Sequence, residues 1–112
     1  MADWVDLVAG ADVAPGQIVD AAHGDRDLVV WRTFAGEACV MEARCPHQWS
    51  HLGAEGVVDG PEIVCAAHFW RFATDGTGTK VGMTGRRDPK ADIDVFPCRE
   101  VDGRIEARLP NE

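Results

Sequence analysis

A chain of 112 residues with 46% apolar and 27% charged content has the composition of an ordinary folded domain and the length for one core, not two. Eleven lysines and arginines stand against nineteen aspartates and glutamates. The resulting formal charge of −8 argues against nucleic-acid backbones and anionic membranes as ligands and favours partners with basic patches.

In chain order, short apolar runs of strand character recur between turn signals: WVDLV at 4–8, QIVDAA at 17–22, LVVWRTF at 28–34, ACVMEA at 38–43, EIVCA at 62–66, FWRFA at 69–73, DIDVFPC at 92–98 and RIEARL at 104–109. Ala14-Pro15-Gly16, Ala35-Gly36-Glu37 and Asp102-Gly103 supply turn chemistry, and the last pair is the strongest hairpin signal. Two stretches, 45–61 and 74–91, lack the pattern and are expected to be irregular, which in a small domain points to function. The expected class is all-β, an antiparallel sandwich or small barrel forming a single domain over 1–112. No run approaches the roughly 18 apolar residues of a membrane-spanning helix. The opening MADWVDLVAG has neither a basic nor an apolar leader region, so a cytoplasmic location is expected.

Four cysteines without an export signal suggest metal binding before disulfides. Cys45-Pro46-His47 and, 17 residues on, Cys65-Ala66-Ala67-His68 form two short chelating pairs, since donors one or two residues apart aim at nearly the same spot. Two thiolates and two imidazoles suit zinc or iron–sulfur chemistry, not magnesium or calcium. A structural Cys2His2 zinc site usually begins with a Cys-Cys pair and ends with a His-His pair. Here each pair mixes the two residue types. A Rieske [2Fe–2S] centre, with two cysteines on one iron and two histidines on the other, needs such mixing if each loop serves both irons. Zinc in a structural or interaction module stays open as the alternative.

The segment CPHQ…CAAHFW, the DGTG at 75–78 and the closing DVFPCREVDGRIEARL resemble the Rieske ferredoxin family, including the ferredoxin components of aromatic-ring oxygenase and toluene-monooxygenase-type systems. The segment 79–95 is longer than in the toluene-monooxygenase subtype. The resemblance implies a Rieske (ISP-like) fold, with an antiparallel β base and a small cluster-binding subdomain whose loops lie within 45–68. It also implies one [2Fe–2S] cluster per chain held by Cys45, His47, Cys65 and His68, with the histidines near solvent. The expected role is that of a soluble carrier, a monomer when free. It would take single electrons from an NAD(P)H-dependent flavin reductase to a terminal oxygenase. The Rieske small subunit of a larger reductase, such as a nitrite reductase, is the second possibility. The sequence shows no nucleophile–base pair and no oxygen-activating His/carboxylate triad, and the chain is short. It is therefore expected to carry electrons and not to be an enzyme.

High-potential Rieske proteins, which the chain resembles in its ligands, add a cysteine to each loop; Ser50 and Ala67 occupy those places here. They also place a serine and a tyrosine after the last histidine, where this chain has Trp70 and Phe72, and the chain has no tyrosine at all. Fewer donors to sulfur and an acidic surround stabilise the reduced cluster less, so a midpoint near or below about 0 mV is expected. Proton loss from the ligand histidines should lower it further at alkaline pH. Of the remaining residues, His51 could be a proton relay but is read as solvated, and His23 as surface. Cys39, Cys98 and Trp31 are read as core. Trp49 and Trp70 are read as shielding the cluster or contacting a partner, with shielding preferred over electron relay for Trp70, Gly76-Thr77-Gly78 as a turn, and Arg86 and Arg87 as solvated loop charge that could rim a docking surface.

Overall fold

The computed structural model describes residues 4–46, 51–66 and 69–109. Three antiparallel sheets account for most of it. The first joins β1 (Trp4–Ala9), β11 (Cys98–Val101) and β12 (Arg104–Arg108) in the order β1-β12-β11. The second runs β10-β4-β3-β2, from β2 (Ile18–His23), β3 (Arg26–Arg32), β4 (Ala38–Glu42) and β10 (Val95–Phe96). The third is a meander of β5 (Gly56–Asp59), β6 (Glu62–Cys65), β7 (Trp70–Ala73), β8 (Gly78–Val81) and β9 (Arg87–Lys90). No helix among the described residues is long and apolar enough to cross a membrane.

The β2-β3-β4-β10 sheet is the middle layer, and the apolar pattern of β3 shows why. A strand with one wet face alternates, but Leu28, Val29, Val30 and Trp31 are all apolar and all fully buried, as in a strand covered on both sides. Leu28 and Val30 join Val40, Phe96, Ile105 and Ala107 in a core against the first sheet. Val29 and Trp31 join Met41, Leu52, Ile63, Cys65 and Phe72 in a second core against the meander. Arg32, at the end of β3, ties the layers at one edge: its guanidinium donates to the carbonyls of Val13, Gly10 and Gly36 and to Glu100.

The expected strands at 4–8, 17–22, 28–34, 38–43, 62–66, 69–73 and 104–109 are present within a residue or two. Asp102 and Gly103 both have positive φ, 51° and 79°, the backbone that a two-residue hairpin of their type requires. Three expectations need correction. The run 92–98 is two strands in two sheets: β10 pairs with β4 and β11 with β12, and Pro97 lies at the crossing between them. The stretch 45–61 holds a one-turn helix, α1 (Leu52–Glu55), and β5; the stretch 74–91 holds β8 and β9. Gly78 opens β8 and does not belong to a free turn; a Cβ there would collide with the carbonyl oxygen of Ala91.

Candidate metal centre

Cys45 follows β4 at the end of the middle sheet, and Cys65 closes β6 in the meander. The two thiols therefore come from facing layers, and both lie in the core shared by those layers, 1% and 0% exposed. None of the four cysteines is in a disulfide. His47 and His68 lie outside the described residues, as do Trp49, Ser50 and Ala67.

Each loop is closed at its base by an antiparallel pair. Arg44 bridges to His51 across the first, and Cys65 pairs with Trp70 across the second. In the second, the Phe69 N–H donates to the Cys65 carbonyl at 2.6 Å, and Phe69 takes a left-handed φ of 63° to bring the chain back into β7. A bulky side chain rarely holds that conformation without surrounding structure to impose it.

Between the loops, α1 acts as a strut. The Leu52 N–H donates to the Ala43 carbonyl (2.7 Å) beside the first loop, and the Ala66 N–H beside Cys65 donates to the Glu55 carbonyl (2.8 Å). The Gly56 N–H closes the helix on the Leu52 carbonyl, and Gly56 pairs with Cys65 in the ladder. His51 caps this helix: its Nδ1 accepts from the Gly53 N–H at 3.0 Å and stands 3.9 Å from Asp20 Oδ1. The reading of His51 as simply solvated is thus replaced by a capping role, which follows from its position just before LGAE.

The other two cysteines sit within strands, Cys39 in β4 and Cys98 at the start of β11. Cys39 is buried near Trp31 in the middle sheet, and its thiol is pushed up to about 12, first by burial and then by Cys98 and Glu37 nearby. Half-buried Cys98, its Sγ 3.4 Å from the Ala38 carbonyl oxygen, is raised by burial too. Phe72 is fully buried and Trp70 packs partly buried against the same core, so each supplies ring surface at the positions where the high-potential proteins place hydroxyls.

On the outer face of the meander, Glu62 accepts from Arg71 Nε (2.8 Å) and from Arg87 Nη1 (2.7 Å), while Arg71 also reaches Asp59. The Arg87 and Arg71 bonds hold the Glu62 carboxyl below its ordinary range. This network staples β5, β6, β7 and β9 together behind Cys65.

The model of the Rieske [2Fe-2S] domain matches residues 3–97. The chain belongs to the Rieske family. Its cofactor is therefore a Rieske-type [2Fe–2S] cluster, and the zinc alternative falls away. Two buried thiols outside any disulfide, brought from two strutted loops into one core, suit that group's need for soft donors screened from water. The chain is 30% identical over 102 residues to cholesterol 7-desaturase nvd 1 of Ciona intestinalis, covering 91% of this chain and 22% of that protein. It is 29% identical over 106 residues to the 4beta-methylsterol monooxygenase of Methylococcus capsulatus, covering 91% and 28%. It thus spans about a quarter of the curated relatives it matches. Among solved structures, the ferredoxin of Sphingomonas yanoikuyae B1 shares the fold with a TM-score of 0.75 at 23% identity, covering 96% of this chain and all of that one.

The expectation that the chain is not an enzyme is corrected by these relatives. They are a desaturase and a monooxygenase, enzymes by name, and this Rieske chain corresponds to one domain's length of them. Chain length and the lack of a second catalytic constellation describe the domain alone; they do not describe the enzyme such a domain serves.

Proposed function

We propose that this single Rieske domain is the electron-transfer unit of an oxygenase-type enzyme, with Cys45, His47, Cys65 and His68 as its cluster ligands. Electrons would enter from an NAD(P)H-dependent flavin reductase and leave to the iron centre of a terminal oxygenase. The observation that carries the reading is the family match spanning both the Cys-X-His and the Cys-X-X-His pair. When bound, a Rieske cluster takes up and releases one electron at a time, at a potential set by its charge, hydrogen bonds and exposure. The protein's own part is positional. Leu52 and the Arg44–His51 and Cys65–Trp70 closures hold the bases of the two loops, while Phe72, Ile63 and Met41 keep the thiols dry. A dry setting excludes water from the thiols and strengthens the electrostatic interactions around them.

The test is reconstitution with iron and sulfide, followed by reduction. Two irons per chain and a Rieske electron paramagnetic resonance signal, both lost in Cys45→Ser and Cys65→Ser, are expected. A colourless protein retaining zinc would refute it. A second reading, a separate ferredoxin that shuttles between reductase and oxygenase, is favoured by the end-to-end likeness to the Sphingomonas yanoikuyae ferredoxin. Single-turnover mixing of the reduced protein with a separately purified oxygenase distinguishes the two. Rapid reoxidation supports the shuttle, and reoxidation no faster than by dissolved oxygen supports a unit that works within a larger enzyme.

A further inference from the structure

The registers of the meander place one row of residues side by side across five strands: Gly56, Cys65, Trp70, Lys80 and Asp88. Beyond that row, at one end of the sheet, lie α1, Ala66, Phe69 and the tip of the β8–β9 hairpin. The hairpin tip therefore projects past the sheet at the same end as Ala66 and Phe69, two strand spacings or about 10 Å away laterally.

That end carries an exposed apolar group. Phe69, held outward by its left-handed backbone, is 64% exposed, Val81 is 38% exposed, and Met83 at the hairpin tip is fully exposed. The tip is a defined turn: the Gly82 N–H donates to the Arg86 carbonyl at 2.8 Å and the Gly85 N–H to the Gly82 carbonyl at 3.0 Å. Each of these apolar side chains would be stabilised by burial against a partner.

The charge of the hairpin is opposite to that of the chain. On a protein of formal charge −8, the segment 78–90 holds Lys80, Arg86, Arg87 and Lys90 against the single acid Asp88. Arg87 is engaged by Glu62, and Lys90 lies 5.9 Å from the ring of Trp70. Arg86, 82% exposed, has a loose 3.5 Å contact to Asp88. A stretch with four basic residues against one acid, on a chain of net charge −8, favours an acidic partner surface at this end.

We propose that Phe69, Val81 and Met83, at the end of the meander that also carries Lys80 and Arg86, form the surface on which this chain docks its electron-exchange protein, and that the partner surface is an apolar patch ringed by carboxylates. The proposal rests on the electron-transfer reading above and deepens it. It reverses, for this face, the expectation from overall charge that partners are basic.

The test uses cluster-loaded protein at gold coated with mixed methyl- and carboxylate-terminated thiols, which imitate that partner surface, and at a methyl- and amine-terminated control. Adsorbed mass and interfacial electron-transfer rate are both read. The wild type should bind and exchange electrons at least about tenfold better at the carboxylate layer despite its net charge. Met83→Asp and the double variant Lys80→Glu/Arg86→Glu should lose that preference with absorption and resonance spectra unchanged. Preference of the wild type for the amine layer, or unaltered variants, would overturn the proposal. So would salt-sensitive dimers in sedimentation that the variants abolish, because the occupant would then be a second copy. A missing Rieske signal would instead sink the electron-transfer reading, whereas adsorbed mass reports on the docking face regardless of the cluster.

Discussion

Leu52→Ala measures how far the α1 strut governs the cluster. Leu52 is fully buried in the core that contains Cys45 and Cys65, and its N–H holds the Ala43 carbonyl beside the first loop. Truncation removes three carbons at about 0.8 kcal/mol each and leaves a partly unfilled cavity, for a cost of about 3 kcal/mol. If opening of the ligand loops precedes cluster loss, that cost raises the open population by roughly a hundredfold, and the decay of visible absorbance under dilute guanidinium speeds up to match. Ile105→Ala is the control. Ile105 is as deeply buried, but in the other core against the first sheet, so its truncation costs a similar amount globally without loosening α1. Cluster loss should be slow in Ile105→Ala at low denaturant and fast in Leu52→Ala. Equal acceleration in both would refute the strut, because it would show that release follows global unfolding.

Other outcomes follow from the same geometry. Cys39→Ala and Cys98→Ala should keep a full complement of iron, in contrast to Cys45→Ser and Cys65→Ser, as iron analysis will show. Gly56→Ala should cost about 1–3 kcal/mol in denaturant melts, because its Cβ would strike the Leu52 carbonyl oxygen and Ile18. Gly60→Ala, where the space is open and only a φ of 61° resists, should cost about 1 kcal/mol. Glu62 has a lowered folded pKa, so its stabilising contribution is present above its ordinary value of 4.5 and is lost as pH falls through the lowered one. Stability profiles of Glu62→Gln should therefore be flatter below about pH 4.5 than those of the wild type. Film voltammetry of the loaded protein should give a midpoint near or below about 0 mV, and a strongly positive value would overturn the argument from Trp70 and Phe72.

The proposed ligand pairs stand out as motifs because each is contiguous: Cys45-Pro46-His47 and Cys65-Ala66-Ala67-His68 suggest their chemistry without help from the fold, and the family match over residues 3–97 agrees with the cluster type they imply. So were β3 and β4, whose unbroken apolar runs reflect burial on both faces. The strands that escaped are those with no apolar signature. β9, Arg87-Asp88-Pro89-Lys90, is exposed throughout and exists because β8 offers it a ladder. β8, Gly-Thr-Lys-Val, is likewise specified by its neighbours. α1 is four residues long, too short for any periodicity, and depends on His51 and on tertiary bonds from Ala43 and Ala66. For the same reason the role of Phe69 was hidden. In sequence it continues the strand-like FWRFA, and only the Cys65–Trp70 pairing forces it out of the ladder into a turn.

The double-sided burial of the middle sheet bears on how far the fold depends on its metal. A domain this small could be expected to need its metal as a staple, yet both cores are filled by the chain's own side chains on either side of β3 and β4. Each proposed ligand segment is short in sequence and closed at its base by an antiparallel pair, so its closure costs little chain entropy. The apolar packing that holds the three layers together lies largely outside the two Cys/His pairs, so a substitution that empties the cluster site should leave most of that packing in place.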